Sequence, residues 1–104
     1  MDADEALATR RSTAVIRLAE GSTSSQVEDM RTRFARHAAD GVTTVLVDLD
    51  GVNYLNSTAL AMLVKLKHDG ADRTVDVQLI NVSPHVMDIL RTTRLERFFF
   101  PSAN

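Results

Sequence analysis

Three neighbouring polar residues, Asn56, Ser57 and Thr58, stand where an apolar helical pattern begins, and they are the best candidates for chemistry in this sequence. The unpaired N–H groups at the start of a helix create a positive field, so a phosphate group on Ser57 would be tolerated there. That phosphate would add about two negative charges to any docking surface around it. The simpler interpretation is that the three residues only cap the helix.

Two carboxylates, Asp48 and Asp50, lie just before these residues. Asp48 ends a predicted strand, which is where receiver domains that accept a phosphoryl group place their aspartate. Such domains also need acidic metal ligands after an earlier strand, and Glu20 is the one acidic residue at the corresponding point. We therefore expect Asp48 to order its own loop, and a small receiver or enzyme that uses Asp48 is the less favoured hypothesis.

The remaining reactive side chains form no recognisable catalytic or metal-binding pattern. His37, His68 and His85 fall in separate predicted elements without the spacing of metal ligands, and the chain has no cysteine. No Ser/His/Asp order and no glycine-rich phosphate loop stand out. The expectation is a protein that is not an enzyme and that needs no metal or cofactor.

Apolar runs rich in β-branched residues predict strands at Ala14–Leu18, Thr44–Leu49 and Val75–Leu79. The second run is apolar without interruption, which predicts a central strand that is buried on both faces. The third run alternates with polar residues, which favours a position towards the sheet edge. A further first strand is predicted at Ala6–Thr9, followed by a turn that ends at residue 12.

Apolar residues at helical spacing predict helices between these strands. Ser25 and Glu28 have the spacing of a capping box and predict the start of a helix that ends near Gly41. The second helix is predicted from Asn56 to Gly70, with Gly70 as its stop. Serine followed by proline at 83–84 predicts a third helix. Leu95, Phe98 and Phe99 predict a last short element, on the sheet or beside the first helix, before a polar tail at 101–104.

Alternating strands and helices predict a single α/β domain over residues 1–104, with a mixed, mostly parallel sheet of four to five strands and helices packed on it. The net charge of −2, with no basic run longer than Arg10–Arg11, excludes a typical nucleic-acid binder. The acidic start of the chain and the lack of a long apolar run predict a cytoplasmic protein without membrane insertion. Arg91, Arg94 and Arg97 indicate a solvated helix face or, alternatively, a surface for an acidic partner.

The segment Val45–Val64, VLVDLDGVNYLNSTALAMLV, resembles the signature of the STAS domain family of bacterial anti-anti-sigma factors. In that signature an apolar strand ends in Asp-Leu and leads through a glycine-containing loop to Asp-Ser-(Ser/Thr)-Gly-Leu and a helix. The resemblance continues into Asn81–Val86 and includes the strand Ala14–Leu18, so it extends over almost the whole chain.

The resemblance implies that Ser57 is the phosphorylation site, with Thr58 as second choice, and that the kinase is also the anti-sigma factor. It places the partner-binding residues around the start of the second helix, at Asn56, Ser57, Thr58, Ala59, Ala61 and Met62. Asn56 stands where the family has aspartate, and Ala59 and Ala61 stand where it has glycines.

The function implied is that of an anti-sigma factor antagonist, a transcription regulator that docks on an anti-sigma factor or serine kinase and is released when Ser57 is phosphorylated. The alternative within the family is a scaffold subunit of a signalling or lipid-transport complex, in which Ser57 is not modified. A homodimer is also compatible with the sequence.

Overall fold

The computed structural model describes residues 12–21 and 23–100. These residues form three strands and four helices that alternate along the chain. The elements are β1 (Thr13–Arg17), α1 (Ser24–Ala39), β2 (Thr44–Asp48), α2 (Ser57–Arg73), β3 (Asp76–Ile80), α3 (Pro84–Thr92) and α4 (Glu96–Phe99). This order confirms the predicted α/β class.

The three described strands form one parallel sheet in the order β1-β2-β3, so β2 is central as predicted. Ile16, Val47 and Leu79 lie side by side in this register. The described strands number fewer than the four to five expected and are all parallel. The further strand predicted at Ala6–Thr9 and the polar tail at 101–104 lie outside the described residues.

One face of the sheet forms the core, and on this face Ile16, Val47 and Leu79 are almost completely buried. On the other face Val15 is 55% exposed and Leu46 is only half-buried. The prediction that β2 is buried on both faces is therefore wrong for the described part of the chain. The physical reason is that the described helices direct their apolar residues at the same face of the sheet.

The start of α1 differs from the prediction by two residues. Thr23 is the N-cap, and it exchanges hydrogen bonds with Gln26 in a capping box, with the Thr23 N–H 2.7 Å from the Gln26 side-chain oxygen. Ser25 and Glu28 have the same spacing, but starting at Thr23 adds an intrahelical bond from the Val27 N–H to the Thr23 carbonyl. Both starts leave the apolar residues on one face, and Val27, Met30 and Phe34 are buried there.

The end of α2 also differs from the prediction, because the helix continues past Gly70 to Arg73. Thr74 ends it in the left-handed conformation, with φ of 59°. Gly70 is buried inside the helix, where an added Cβ would lie 2.5 Å from the Val75 carbonyl oxygen and 2.8 Å from a Val77 methyl carbon. Glycine is therefore needed for close packing of α2 against the chain entering β3, and not for stopping the helix.

The α2 residue Lys67 protects the outer edge of β3. Its ammonium donates a hydrogen bond of 2.9 Å to the Val77 carbonyl and lies 3.8 Å from the Asp76 carboxylate. An unpaired strand edge is a site for unwanted strand pairing, and a lysine on it opposes that pairing. The strand order β1-β2-β3 confirms that β3 lies at an edge of the described sheet.

The last two helices complete the core beside β3. Ser83 caps α3 by accepting the Val86 N–H at 3.1 Å, and Pro84 is the first helical residue, as predicted. In α4, Phe99 is buried and Phe98 packs against the ring of His68 at a centroid distance of 5.2 Å. The contacts of α4 with β3 confirm that the final apolar element lies on the sheet.

Candidate functional site

The candidate site lies at the carboxyl edge of the sheet, where the loops that follow the three parallel strands meet. Asp48, the last residue of β2, connects them. One of its carboxylate oxygens accepts the Asp50 N–H at 2.9 Å and the Asn81 side-chain amide at 3.0 Å. The Arg17 guanidinium at the end of β1 is 3.8 Å from the other oxygen. Asp48 therefore ties the ends of all three strands together.

The electrostatics of Asp48 fit this structural role. Its pKa lies below the ordinary aspartate value because the Asn81 amide, and then the Asp50 N–H, donate hydrogen bonds to the ionised carboxylate. Desolvation opposes this shift, and Arg17 adds a smaller lowering. The carboxylate stays ionised at neutral pH and organises the β2–α2 loop, as the sequence predicted for Asp48.

The β2–α2 loop is also held from the side of β1. The Glu20 carboxylate accepts the Asn53 N–H at 2.8 Å. Within the loop, Val52 and Leu55 are buried and anchor it in the core. Two apolar anchors and two carboxylate contacts thus place the start of α2 at a defined position on this edge.

Asn56 is the N-cap of α2. Its side-chain oxygen accepts the Ala59 N–H at 2.7 Å, and its backbone is extended, with φ of −73° and ψ of 168°. This geometry satisfies one of the helix N–H groups that has no partner within the helix. Ser57 and Thr58 are therefore the first two helical residues, and both are exposed.

The six predicted contact residues separate into a surface group and a core group. Ser57, Thr58 and Ala61 are exposed on one side of α2, and Asn56 is half-buried at its cap. Ala59 and Met62 are only 4% and 3% exposed and pack in the core. A partner therefore cannot contact Ala59 or Met62 in this conformation, which corrects the predicted contact set.

Tyr54 is a surface residue that the sequence reasoning missed. It is 59% exposed and lies three residues before Ser57, in the loop that leads to α2. An exposed tyrosine between the buried residues Val52 and Leu55 is an available contact for a protein partner, since tyrosine is enriched at interface hot spots. The sequence does contain a signal for this role: Tyr54 is an aromatic residue in a loop, and the apolar residues on either side of it, Val52 and Leu55, are the ones that enter the core.

Two features are absent from the part of the chain that the structure describes. Residues 12–21 and 23–100 contain no cluster of three or more His, Asp or Glu side chains that is close enough to share a metal ion. Among these same residues, no helix combines the length and the apolar character needed to cross a bilayer.

The comparison with known families identifies the domain. A family model described as "Mlab, STAS domain" matches residues 5–101. The chain belongs to the STAS domain family. The sequence resemblance, the βα order and the parallel sheet agree with this assignment, and the segment Val45–Val64 supplies the β2–α2 unit on which the STAS candidate site is built.

A curated STAS relative is also similar to the chain. A STAS-domain containing protein of Pseudomonas aeruginosa (strain UCBPP-PA14) is 37% identical over 54 residues, which is 52% of this chain and 54% of that protein. The match thus spans about half the length of the curated relative. No solved structure gives a significant match to the chain.

Proposed function

We propose that this STAS domain is a protein-binding switch, which docks on an anti-sigma factor or serine kinase through the start of α2 and is released by phosphorylation of Ser57. STAS family membership supports an anti-sigma factor antagonist-like domain. The partner, the phosphorylation, a role in transcription regulation, a cytoplasmic location and the absence of enzyme activity are parts of the proposal.

One observation carries the choice of Ser57. Asn56 caps α2 through its own side chain, and within the described part of the chain no group hydrogen-bonds to the exposed Ser57 hydroxyl. The hydroxyl is therefore not needed to build the helix start, although helix starts commonly use serine for that purpose. It is available to a partner or to a kinase.

The electrostatic position of Ser57 suits a switch. A phosphate at the first helical residue lies near backbone N–H groups and in the favourable part of the helix dipole, so the fold should tolerate it. A partner that fits a small hydroxyl must instead accommodate about two negative charges and a larger group. The modification therefore acts on the interface and leaves the domain folded.

A second candidate function is a scaffold that binds its partner through the same surface without modification of Ser57. Asn56 favours it, because the family places an aspartate at this position and Asn56 supplies the cap but no carboxylate beside the hydroxyl. Both candidates predict docking at the start of α2. They differ in whether the native protein carries phosphate on Ser57.

Differential capture tests the docking surface. Immobilised wild type, Ser57→Ala, Ser57→Glu and Ser24→Glu are exposed to the native lysate, and the retained proteins are identified by mass spectrometry. Ser24 is a matched control because it is the exposed first residue of α1, as Ser57 is of α2. A protein retained by all but Ser57→Glu supports the proposal. Loss of the same protein from both Glu variants, or from neither, contradicts it.

A further inference from the structure

A recess with three arginines lies where α3 ends and α4 begins, and no residue at the start of α2 lines it. Its volume is about 250 Å³, and its walls are Arg91, Arg94, Glu96 and Arg97, which we call the arginine corner. Ser83 caps α3 at the carboxyl edge of the sheet, and the nine residues of α3 span about 13 Å. The arginine corner therefore lies one helix length away from that edge.

The charges of the arginine corner are unevenly paired. Arg91 holds both nearby acids, with its Nε 2.6 Å from the Glu96 carboxylate and its Nη1 3.5 Å from the Asp88 carboxylate. Within residues 12–21 and 23–100, Arg94 and Arg97 have no ion pair or hydrogen bond to their guanidinium groups. Two guanidinium groups without an ion pair thus face solvent beside a recess, and the three arginines and two acids of this region together carry a net charge of +1.

The backbone conformation at Arg94 offers a way to separate the role of its side chain from its effect on the fold. Arg94 is the left-handed residue of a Schellman motif, with φ of 62°, and the Leu95 N–H bonds to the Leu90 carbonyl at 2.7 Å. Glycine is the favoured residue at this position, because a Cβ in the left-handed region crowds the following carbonyl oxygen. Glycine at this position would therefore give a more stable fold than the arginine that is present.

We propose that the arginine corner is a second docking surface, which binds an acidic segment of a protein partner through the guanidinium groups of Arg94 and Arg97. Guanidinium groups match carboxylates in a bidentate geometry, and Arg91 is held in place by its two acids to form the wall of the recess.

The chemistry of the surface favours a protein segment over other anions. A protein that makes about 6 to 10 phosphate contacts needs many basic side chains, whereas this chain has a net charge of −2 and two arginines without an ion pair at this corner. A small free anion would be held only by exposed side chains, for which water competes. A peptide adds backbone and neighbouring contacts in the recess to the two charge pairs.

The first test is an NMR titration of the whole isotope-labelled domain. The backbone and arginine Nε–H signals report where each probe binds. The probes are an octapeptide with four consecutive glutamates, the same peptide with glutamines, and inorganic phosphate. We expect the glutamate peptide to shift the Arg94 and Arg97 signals with a Kd of about 1 mM or tighter at low salt, and the glutamine peptide to shift neither. Equal effects of both peptides, no shifts, or tighter binding of phosphate would overturn the proposal.

Four variants separate binding from folding. Arg94→Gly and Arg97→Gln should each weaken peptide binding by about fivefold or more, since each removes one charge-assisted pair. Arg36→Gln removes an exposed charge of α1 that has no ion pair among the described residues, and Thr74→Gly relieves the same left-handed strain at the end of α2. Both of these controls should keep binding within about twofold.

Thermal unfolding provides the second readout. Arg94→Gly and Thr74→Gly should each raise the unfolding midpoint by about 2 to 6 °C, because glycine suits both left-handed positions. A gain in stability with a loss of binding in Arg94→Gly, but not in Thr74→Gly, supports the proposal. Unchanged peptide binding by Arg94→Gly refutes the proposal. A lowered unfolding midpoint of Arg94→Gly also refutes it, because the Arg94 side chain would then serve to stabilise the fold.

Discussion

Gly70→Ala should destabilise the domain even though alanine is the better helix former. The new Cβ would lie 2.5 Å from the Val75 carbonyl oxygen and 2.8 Å from a Val77 methyl carbon, and real Cβ atoms essentially never approach other atoms this closely. The optimal separation of two carbon atoms is about 3.5 to 4.0 Å. Val75 and Val77 are both buried, and the Val75 N–H bonds to the Gly70 carbonyl at 2.7 Å. The nearer blocking atom is therefore backbone that cannot move without disturbing the entry to β3.

The magnitude follows from two opposed effects. Overpacking a core typically costs about 1 to 3 kcal/mol, and the backbone contact at Gly70 places this variant near the upper end. Alanine in place of glycine gains about 1 kcal/mol of helix propensity. We expect a net loss of about 2 kcal/mol in the free energy of unfolding, which lowers the melting temperature by about 8 to 16 °C.

Thermal and urea denaturation of Gly70→Ala and Ala71→Gly measure this effect. Ala71 is the exposed neighbour on the same helix, so its replacement by glycine reports helix propensity alone and should cost at most about 1 kcal/mol. If Gly70→Ala is as stable as wild type, or more stable, Gly70 does not serve close packing and the description of α2 is wrong.

Three further predictions concern the candidate site. Asn56→Ala should lose about 1 kcal/mol of stability with the cap, whereas Asn56→Asp should be neutral or mildly stabilising beside the helix dipole. Equal denaturation midpoints for these variants and wild type would remove Asn56 from the capping role. The NMR-measured pKa of Asp48 should lie below 3.8, so that its contribution to stability is complete at neutral pH and is lost as the pH falls through that lowered value. Asn81→Gly should raise the Asp48 pKa towards the ordinary value, and an unchanged pKa would contradict the assigned cause. Incubation with the cognate kinase and ATP should place phosphate on Ser57, and peptide mapping that finds it on Thr58 alone would show that the assigned motif register is wrong.

Local signals in the sequence predicted those parts of the fold that depend on local chemistry. Ser83 and Pro84 mark the start of α3 because a side-chain cap and a residue without an N–H suit that position in any context. The uninterrupted apolar run around Val47 likewise predicted the central strand. Asn56 was found as a cap for the same reason, since the need for an acceptor at a helix start is local.

The features that were missed depend on packing between neighbouring elements or on overlapping signals. The role of Gly70 is set by its contact with Val75 and Val77, which no local pattern contains. At the start of α1 two overlapping capping boxes fit the sequence, and spacing alone does not choose between Thr23 and Ser25.

The predicted contact residues around Ser57 included two buried residues, Ala59 and Met62, whose burial the sequence pattern already indicates. Ala59 and Met62 share the spacing of Leu63 and Leu66, which places all four on the buried face of α2. The family resemblance identified the segment that contains the contact residues. The residue spacing along α2 is what separates its exposed positions from its buried ones.

Calorimetric titration of the captured partner against wild type, Ser57→Ala and Ser57→Glu tests the central claim most directly. We expect Ser57→Ala to bind with nearly the wild-type Kd, because it adds neither charge nor volume. Ser57→Glu should bind at least about tenfold more weakly, a loss of about 1.4 kcal/mol, while circular dichroism shows an intact fold. Wild-type affinity of the Glu variant would place Ser57 outside the docking surface and contradict the proposed switch.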